Sequence, residues 1–407
     1  MTTKPPIPPL GYKVGILGGG QLAAMLAEAA LRLGLRPVVL AKGPLDPAAR
    51  LVKDALYGSY EDLDLLKRFL GEVELVAFEN EFIPSELLHK ARHAKTYFMP
   101  ELETLRRLQD KISQKRALQS INVPTAPMLV LPEGGRVHQW RLQTWLENVD
   151  REYGSRFVLK WSRTGYDGKG VFLANDPVPL SSRRELLDQF CQASLERGGT
   201  VFAEPYVPFV RELALVACQS TNGEFKAYPL VVIEQPGGVC RWVKGPASAL
   251  GVDPKLEREA FAYAKKISDG FQLQGTFAVE LFELKDGGLW VNEISPRVHN
   301  SGHFTQDAAV TSQFENHWRA LLGLPLGEMS THPAFAMLNV LGPANAAQKH
   351  GWKLPPITAR LHLHWYGKAD LLPGRKLGHI NGHVRKIEEF AELIEEMERC
   401  EQGWIDG

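Results

Sequence analysis

At 407 residues the chain is too long for one hydrophobic core, and about 150 residues per domain predicts two or three domains. Lysine plus arginine and aspartate plus glutamate each total 47, a zero net charge that argues against a surface built to hold nucleic acid or an anionic membrane. Hydrophobic residues at 44% and charged ones at 23% exclude a disordered chain, and four scattered cysteines (Cys191, Cys218, Cys240, Cys400) exclude a disulfide framework or a cysteine zinc site.

The first ten residues are proline-rich without a signal-peptide apolar core, and no apolar run nears the ~20 residues of a membrane span, so a cytoplasmic chain is expected. Val14–Leu17 reads as a buried strand, Leu22–Leu33 as a helix capped by Gly34, and Pro37–Ala41 as the next strand. Ser59 and Asp62 predict a capping box for a helix that runs to Leu70 and stops at Gly71. Leu75–Phe78 is a third strand. This alternation predicts a doubly wound parallel sheet, with ligands beyond its strand ends near Gln21, Glu79 and Asn80. Pro100 opens a charged helix carrying Asp110, Lys111, Lys115 and Arg116, and the prolines of Val123–Pro127 mark a boundary. Beyond it the texture becomes α+β, with strands at 157–161, 171–174, 200–203, 213–218, 276–282 and 289–294 and helices at 184–196 and 254–268. Strands at 336–341 and 359–365 and an acidic helix around 388–398 complete the chain.

Gly18-x-Gly20-x-x-Ala23 joins a strand to a helix and suits a phosphate at a helix N-terminus. The second strand ends at Ala41-Lys42 rather than on the acid that an NAD ribose requires, which leaves an NADP site through Lys42 as the dinucleotide alternative. Between Lys160 and Val171 lie Gly165, Gly168 and Gly170 with Arg163 and Lys169. A hairpin turned at Asp167-Gly168 accounts for one glycine; three beside cations predict a loop that folds over a polyphosphate. Lys160 shares a strand face with Val158, so its ammonium is part-buried and needs an anion.

The runs 276–284 and 289–295 flank Lys285–Gly288. With Asp286-Gly287 as a two-residue turn and Lys285 facing Gly288, Glu280 and Glu293 stand opposite on one face, Cβ atoms about 5 Å apart. Such carboxylates repel unless a cation lies between them or one stays protonated, and an all-oxygen set with Asn292 beside it suits Mg²⁺ or Mn²⁺. An exposed acidic pair on a solvated face is the competing reading. Arg297, His299, Asn300, Ser301 and His303 follow at once, either a polar loop or a cluster suited to an anion undergoing chemistry. His362 and His364 alternate on one strand with no third ligand nearby, so they read as surface or satisfied core histidines. Lys368, Arg375 and Lys376 gather near glycines, an exposed loop or an anchor for a substrate phosphate.

Together, Gly18–Leu22, Phe78–Glu81, Gly165–Gly170, Asn292–His303, Leu363–Lys368 and Pro373–His379 resemble the 5-(carboxyamino)imidazole ribonucleotide synthases of purine biosynthesis, stand-alone bacterial ligases of the ATP-grasp superfamily. The resemblance spans nearly the whole chain. It implies an α/β and α+β ATP-grasp architecture: an N-terminal doubly wound parallel sheet over 1–122, a small α+β lid over 123–205, and a larger mixed-sheet C-terminal domain over 206–407. It implies ATP contacts at Lys111, Lys160, Gly165, Tyr166, Asp167, Gly168, Lys169, Gly170 and Val171. Glu204, Pro205, Tyr206 and Val207 would lie beside the adenine, Glu212 at the ribose, and Asn292 and Glu293 near the phosphates. Glu280 and Glu293 match the family's magnesium ligands. Gln21, Glu79, Asn80, Tyr166, Asp167, Lys368 and Arg375 match its aminoimidazole ribonucleotide contacts, the last two at the phosphate. Asp167, Lys169, Arg297, His299 and Asn300 would carry the chemistry. One departure is Ile233-Glu-Gln235, where family members often carry a histidine.

The implied reaction has bicarbonate attack the γ-phosphate of ATP to give carboxyphosphate and ADP, after which the amine of aminoimidazole ribonucleotide captures the carboxyl group. The implied partners are these small molecules, with no nucleic acid and no membrane, in a homodimer. Three rival readings are another ATP-grasp ligase such as a formate-dependent glycinamide ribonucleotide transformylase, an NADP-dependent oxidoreductase, and a nucleotide-binding regulator without turnover.

Overall fold

The computed structural model describes residues 10–132, 139–165, 168–174, 184–345 and 352–406. Three sheets organise them. In the first, Lys13–Leu17, Arg36–Ala41, Asp54–Tyr57, Leu75–Phe78 and Tyr97–Met99 pair only in parallel, in spatial order third, second, first, fourth, fifth. The apolar runs are near-continuous because both faces are covered. Helix Gln21–Arg32 packs on one face, and Leu63–Glu72, Ser85–Ala91 and Leu102–Leu108 pack on the other. The edge strands Asp54–Tyr57 and Tyr97–Met99 are too short to announce themselves by pattern.

Two helix expectations are corrected. Asp62, not Ser59, is the N-cap: its carboxylate accepts from the N–H groups of Asp64 and Leu65, both at 3.0 Å, and the helix runs through Gly71 to Glu72. Ser59 serves only the preceding turn, accepting from Glu61 N–H at 3.1 Å. The helix expected after Pro100 is two helices, Leu102–Leu108 and Lys111–Ser120, because Asp110 adopts extended backbone and caps the second by accepting from Ser113 N–H at 2.8 Å. That break sets the direction in which Lys111 and Lys115 point.

The second sheet is antiparallel, in order Leu129–Val130, Val201–Pro205, Phe157–Trp161, Val171–Ala174. Helices Gln139–Tyr153 and Arg184–Leu195 cover one of its faces, where Phe157, Leu159, Val201 and Ala203 share a core. Alternation then sends Val158, Lys160 and Glu204 to the opposite face.

The third sheet has nine strands between Arg211 and Val384, every ladder antiparallel, with one parallel bridge from Thr125 to Val291 at its edge. Helix Pro254–Phe271 packs on one face and Gln313–Leu321 on the other. The latter helix also touches Gln21–Arg32: the fully buried Trp318 donates its indole N–H to Leu26 O at 2.8 Å, fixing the first sheet to the third.

The neighbouring His317 is buried, with Nδ1 accepting from Thr276 N–H at 3.1 Å, and burial pulls its pKa down to about 3. The unfolded chain therefore takes up this proton first, so the contribution is whole above pH ~6.5 and lost as pH falls towards 3. Between pH 6.5 and 5, urea unfolding of the wild type should weaken by up to ~1.4 kcal/mol per pH unit more than that of His317→Gln. Equal slopes would remove His317 as the source.

Candidate active site

The floor of the site is the hairpin of Gly275–Glu283 and Leu289–Ser295. Its turn differs from the expected one. Leu284, not Lys285, faces Gly288 (N–H to O, 2.9 Å), and the loop is Lys285-Asp286-Gly287 with Gly287 at φ +79°, the left-handed position a three-residue turn reserves for glycine. The strand residues nearest the turn thus pair one place away from the expected register. A β-bulge between Glu280 and Leu281 restores it: Leu281 pairs with Val291, Glu280 with Glu293, and Asn292 is the extra residue. The opposition of Glu280 and Glu293 is found, but through two departures that offset each other. The bulge also breaks alternation, so sequence neighbours Asn292 and Glu293 both line the cavity above.

The outer edge of the Glu293 strand is held firmly. Gln114 acts as a surrogate peptide, its Nε2 donating to Ile294 O (3.0 Å) and its Oε1 accepting from Ile294 N–H (2.9 Å). Val291 N–H donates to Pro124 O at 2.8 Å, and Thr125 Oγ1 donates to Val291 O at 2.8 Å. The boundary segment at Val123–Pro127 is therefore tied to the Glu293 strand.

Cations from two elements converge on this hairpin. Lys111 pairs with Glu293, and Lys160 Nζ donates to Asn292 Oδ1 at 3.0 Å and pairs with Glu204 at 2.7 Å. Lys115, one helical turn beyond Lys111, pairs with Glu204 at 2.5 Å. Burial would raise the Glu204 pKa, but Lys160 and Lys115 hold it below the usual carboxylate range. Burial in turn pulls Lys115 down, against the pull of Glu204. Lys115 was not among the expected site residues; it lies one turn from Lys111 on the same helix, Lys111–Ser120.

Burial and the facing Glu293 push Glu280 up to about 7. Lys111 pairs with Glu293 but leaves Glu280 above the usual carboxylate range, and the two carboxylates with the Asn292 amide form an oxygen-only set that fits Mg²⁺ or Mn²⁺. His299 Nδ1 accepts from Ser301 N–H at 3.3 Å, so its proton sits on Nε2, 3.5 Å from Glu280. Burial, then Arg297 and Lys376, keep that imidazole neutral.

A cavity of about 640 Å³ rises from this floor, large enough for a nucleotide. The expected ATP residues Lys111, Lys160, Gly165, Gly168, Lys169, Gly170, Val171, Glu204, Pro205, Tyr206, Val207 and Glu212 all line it, as do Arg297, His299 and Asn300. Tyr166 and Asp167 lie outside the described residues. Val158, Leu173, Val207, Phe209 and Phe282 give one apolar wall, the last two phenylalanines stacked with centroids 4.8 Å apart. Burial pushes the Glu212 carboxyl up to about 6. Asn300 is engaged in a reciprocal amide pair with the buried Asn339 (3.0 and 2.7 Å).

Over the cavity, the glycine loop meets the turn after Val231–Glu234. A Cβ on Gly238 (φ +81°) would lie 2.8 Å from the Gly168 Cα, and one on Gly168 would lie 2.9 Å from Gly237 O. Gly238→Ala should therefore hold the loop off and raise the KM for ATP about tenfold. Gly237→Ala shares the left-handed strain (φ +67°), ~1 kcal/mol, but meets nothing and should leave that KM nearly unchanged. Steady-state kinetics of the pair check this.

The first glycine turn proves unsuited to a dinucleotide. A Cβ on Gly18 or Gly20 would collide with the Glu79 side chain, so these glycines make room for a carboxylate where a pyrophosphate would have to sit. That is the physical reason against the NADP alternative. Burial raises the Glu79 pKa, with Asn80 (Nδ2 to Oε2, 3.2 Å), Arg297 and Lys368 pulling the other way. Gln21 opens the adjoining helix. From the far end of the chain, Gly367 O accepts from Arg50 Nη1 at 2.8 Å, and Lys368 Nζ donates to Lys376 O at 2.6 Å. Arg375 lies beside Asp370, donating from Nη1 to Asp370 O at 3.3 Å. Gln21, Glu79, Asn80 and Lys368 thus border one region, with Arg50 as a member the sequence did not single out. His362 and His364 grip Asp307 (3.5 and 2.8 Å) and are satisfied, as expected. No group of three or more metal-ligating His, Cys, Asp or Glu side chains occurs among the described residues. Nor, among them, is any helix long and apolar enough to cross a membrane.

Comparison with known proteins agrees with this geometry. Residues 12–109 match a ribonucleotide synthetase preATP-grasp domain, 116–314 an ATP-grasp domain, and 336–393 a phosphoribosylaminoimidazole carboxylase C-terminal domain. The chain is 37% identical to N5-carboxyaminoimidazole ribonucleotide synthase of Mycobacterium bovis, over 97% of this chain and 89% of the relative. It is 34% identical to the Synechocystis enzyme of that name, over 90% of each. Among solved structures, an ADP complex of an N5-carboxyaminoimidazole ribonucleotide synthetase superposes with TM-score 0.83 at 30% identity, covering 99% of this chain and 100% of the other. The Aspergillus clavatus synthase, solved with ADP and 5-aminoimidazole ribonucleotide, superposes with TM-score 0.80 at 27% identity, over 97% and 99%. With an oxygen-only acidic pair under a lysine-lined nucleotide cavity, and relatives of one name aligned along its length, the chain belongs to the N5-carboxyaminoimidazole ribonucleotide synthase family of ATP-grasp ligases.

Proposed function

We propose that this protein carboxylates 5-aminoimidazole ribonucleotide with bicarbonate and ATP, and that its residues divide the work as follows. The observation that carries the reading is the opposition of Glu280 and Glu293 across the Asn292 bulge, facing Lys111 and Lys160. Glu280 and Glu293 would hold Mg²⁺ or Mn²⁺, with Asn292 beside them; when bound, the ion supplies charge neutralisation to the triphosphate. Transfer of a phosphoryl group between anions needs neutralisation and positioning more than covalent help. Lys160 and Lys111 bring positive charge from the lid strand and from the helix beneath it. Arg297 faces the developing carboxyphosphate, and neutral His299 donates from Nε2 to a bicarbonate oxygen without adding charge. Glu204–Val207 lie along the adenine and Glu212 takes the ribose hydroxyls.

The glycine loop with Lys169 covers the phosphates and keeps water from the mixed anhydride. Gln21, Glu79 and Asn80 hold the aminoimidazole ribonucleotide, Lys368 and Arg375 its phosphate. Tyr166 and Asp167 match the family's substrate contacts, and Asp167 would orient or deprotonate the amine. Atoms balance: bicarbonate oxygen bonds to the γ-phosphorus as ADP leaves, carboxyphosphate releases phosphate and CO₂, and the amine takes up the carboxyl carbon and loses a proton. The three sheets support a division into 1–122, 123–205 and 206–407, and a cytoplasmic homodimer remains part of the proposal. ADP formation measured with and without aminoimidazole ribonucleotide and bicarbonate tests the function. ADP release that needs neither would refute it.

A further inference from the structure

Glu81 stands two residues beyond Glu79 on the loop after Leu75–Phe78, yet its carboxylate belongs to the opposite half of the site. Arg297 Nε donates to Glu81 Oε2 at 2.5 Å and Nη2 to Oε1 at 3.2 Å, a side-on fork, while Nη1 donates to Val298 O at 3.2 Å. Both side chains are buried, 8% and 15% exposed. Three of the five guanidinium N–H bonds are spoken for, which leaves one on Nη1 and one on Nη2, and Arg297 lines the cavity.

The Glu79–Glu81 loop is one stiff unit. Asn80 Oδ1 accepts from Phe82 N–H at 3.1 Å while its Nδ2 donates to Glu79 at 3.2 Å. Gln109 Nε2 donates to Glu81 O at 2.6 Å and to Ile83 O at 2.7 Å. Arg297 also has competing acceptors: Glu79 and Glu293 both act on its charge. A buried guanidinium freed from its fork pairs with whatever carboxylate is nearest, and either choice turns it away from an anion in the cavity.

We infer that Glu81 is a positioning residue: it aims Arg297 from the ribonucleotide-binding loop, so that the loop which meets the amine substrate also governs the group that steadies carboxyphosphate. This deepens the proposed function and rests on it. The consequence is coupling. With the fork intact, each ATP consumed yields one carboxylated ribonucleotide; with Arg297 misaimed, carboxyphosphate is still made but the CO₂ it releases escapes before the amine captures it.

The test is the ratio of ADP formed to carboxylated ribonucleotide formed, with the two KM values alongside. Glu81→Gln keeps the shape but offers one acceptor oxygen and an amide that cannot receive the second N–H. It should raise the ratio several-fold above one and lower the carboxylation kcat about 10- to 100-fold, with the KM for ATP within twofold of wild type. Glu81→Asp keeps both acceptors on a shorter stem and should recover part of the coupling, with a ratio near two. A purely structural role would lower stability and kcat together and leave the ratio at one. If Glu81→Gln does not fold, Glu81→Asp decides alone, since an unchanged ratio there overturns the inference. A one-to-one wild type beside a one-to-one Glu81→Gln refutes this inference only. A wild type that makes no carboxylated ribonucleotide refutes the proposed function and the inference with it.

Discussion

Glu293→Gln is expected to lower phosphate release about a thousandfold, some 4 kcal/mol of transition-state stabilisation, while the circular dichroism spectrum stays that of the wild type. The amide matches the carboxylate in size, and the strand does not depend on that side chain for its place. Gln114 pins Ile294, and Thr125 with Pro124 pins Val291, on either side of the bulge. What is lost is one of two anionic oxygen donors on the floor of the cavity, together with the partner of Lys111. An unpaired Lys111 ammonium would then settle on the triphosphate and change its registration. Binding of ATP should survive better than turnover, because the apolar wall and the Glu204 strand are untouched. Near-normal phosphate release from a folded Glu293→Gln protein would remove Glu293 from the cation site.

Lys368→Ala should raise the KM for the ribonucleotide about 30- to 100-fold and leave the KM for ATP within about threefold. A charge-assisted hydrogen bond to a phosphate contributes roughly 1.5–3 kcal/mol, which sets the size of the effect. Its selectivity follows from position. Lys368 lies near Glu79 and the Gly367–Arg50 contact, and it does not line the cavity that Lys160 and Glu204 share. The backbone around it should hold, since Gly367 O keeps its bond from Arg50 and the Leu361–Trp365 strand keeps its ladder. Initial-rate kinetics with each substrate varied separately read the split. Equal rises in both KM values would place Lys368 outside the ribonucleotide site.

The chemistry-bearing motifs were more legible in the sequence than the elements that hold them. The Glu280–Glu293 pair, the glycine loop and the parallel first sheet follow from local residue patterns, and the structure has all three. A two-residue turn at Asp286-Gly287 predicts the pair, yet the turn that forms has three residues. A glycine suited to a left-handed position fits either Asp286-Gly287 as a pair or Gly287 closing a three-residue loop, and only the packed hairpin decides. The bulge at Asn292 left no mark in the residue types. The first sheet's edge strands Asp54–Tyr57 and Tyr97–Met99 and the strands Val231–Glu234 and Trp242–Gly245 were missed because each is short and paired to neighbours the local pattern does not reveal. Arg50, Glu81 and Lys115 were missed for a related reason. Each acts through a partner remote in sequence, Gly367, Arg297 and Glu204, and charge at one position does not announce which distant charge it will meet.

The backbone-to-backbone seat of Gly168 on the Gly237-Gly238 turn has an evolutionary consequence. A bulky core residue can grow when its neighbour shrinks, so packed interiors drift by paired exchanges. Two glycines in contact have no such route, because neither can become smaller to admit a change in the other. Variation at this seat has to arrive as relocation of a whole loop, which makes the two glycines a single inherited character rather than two.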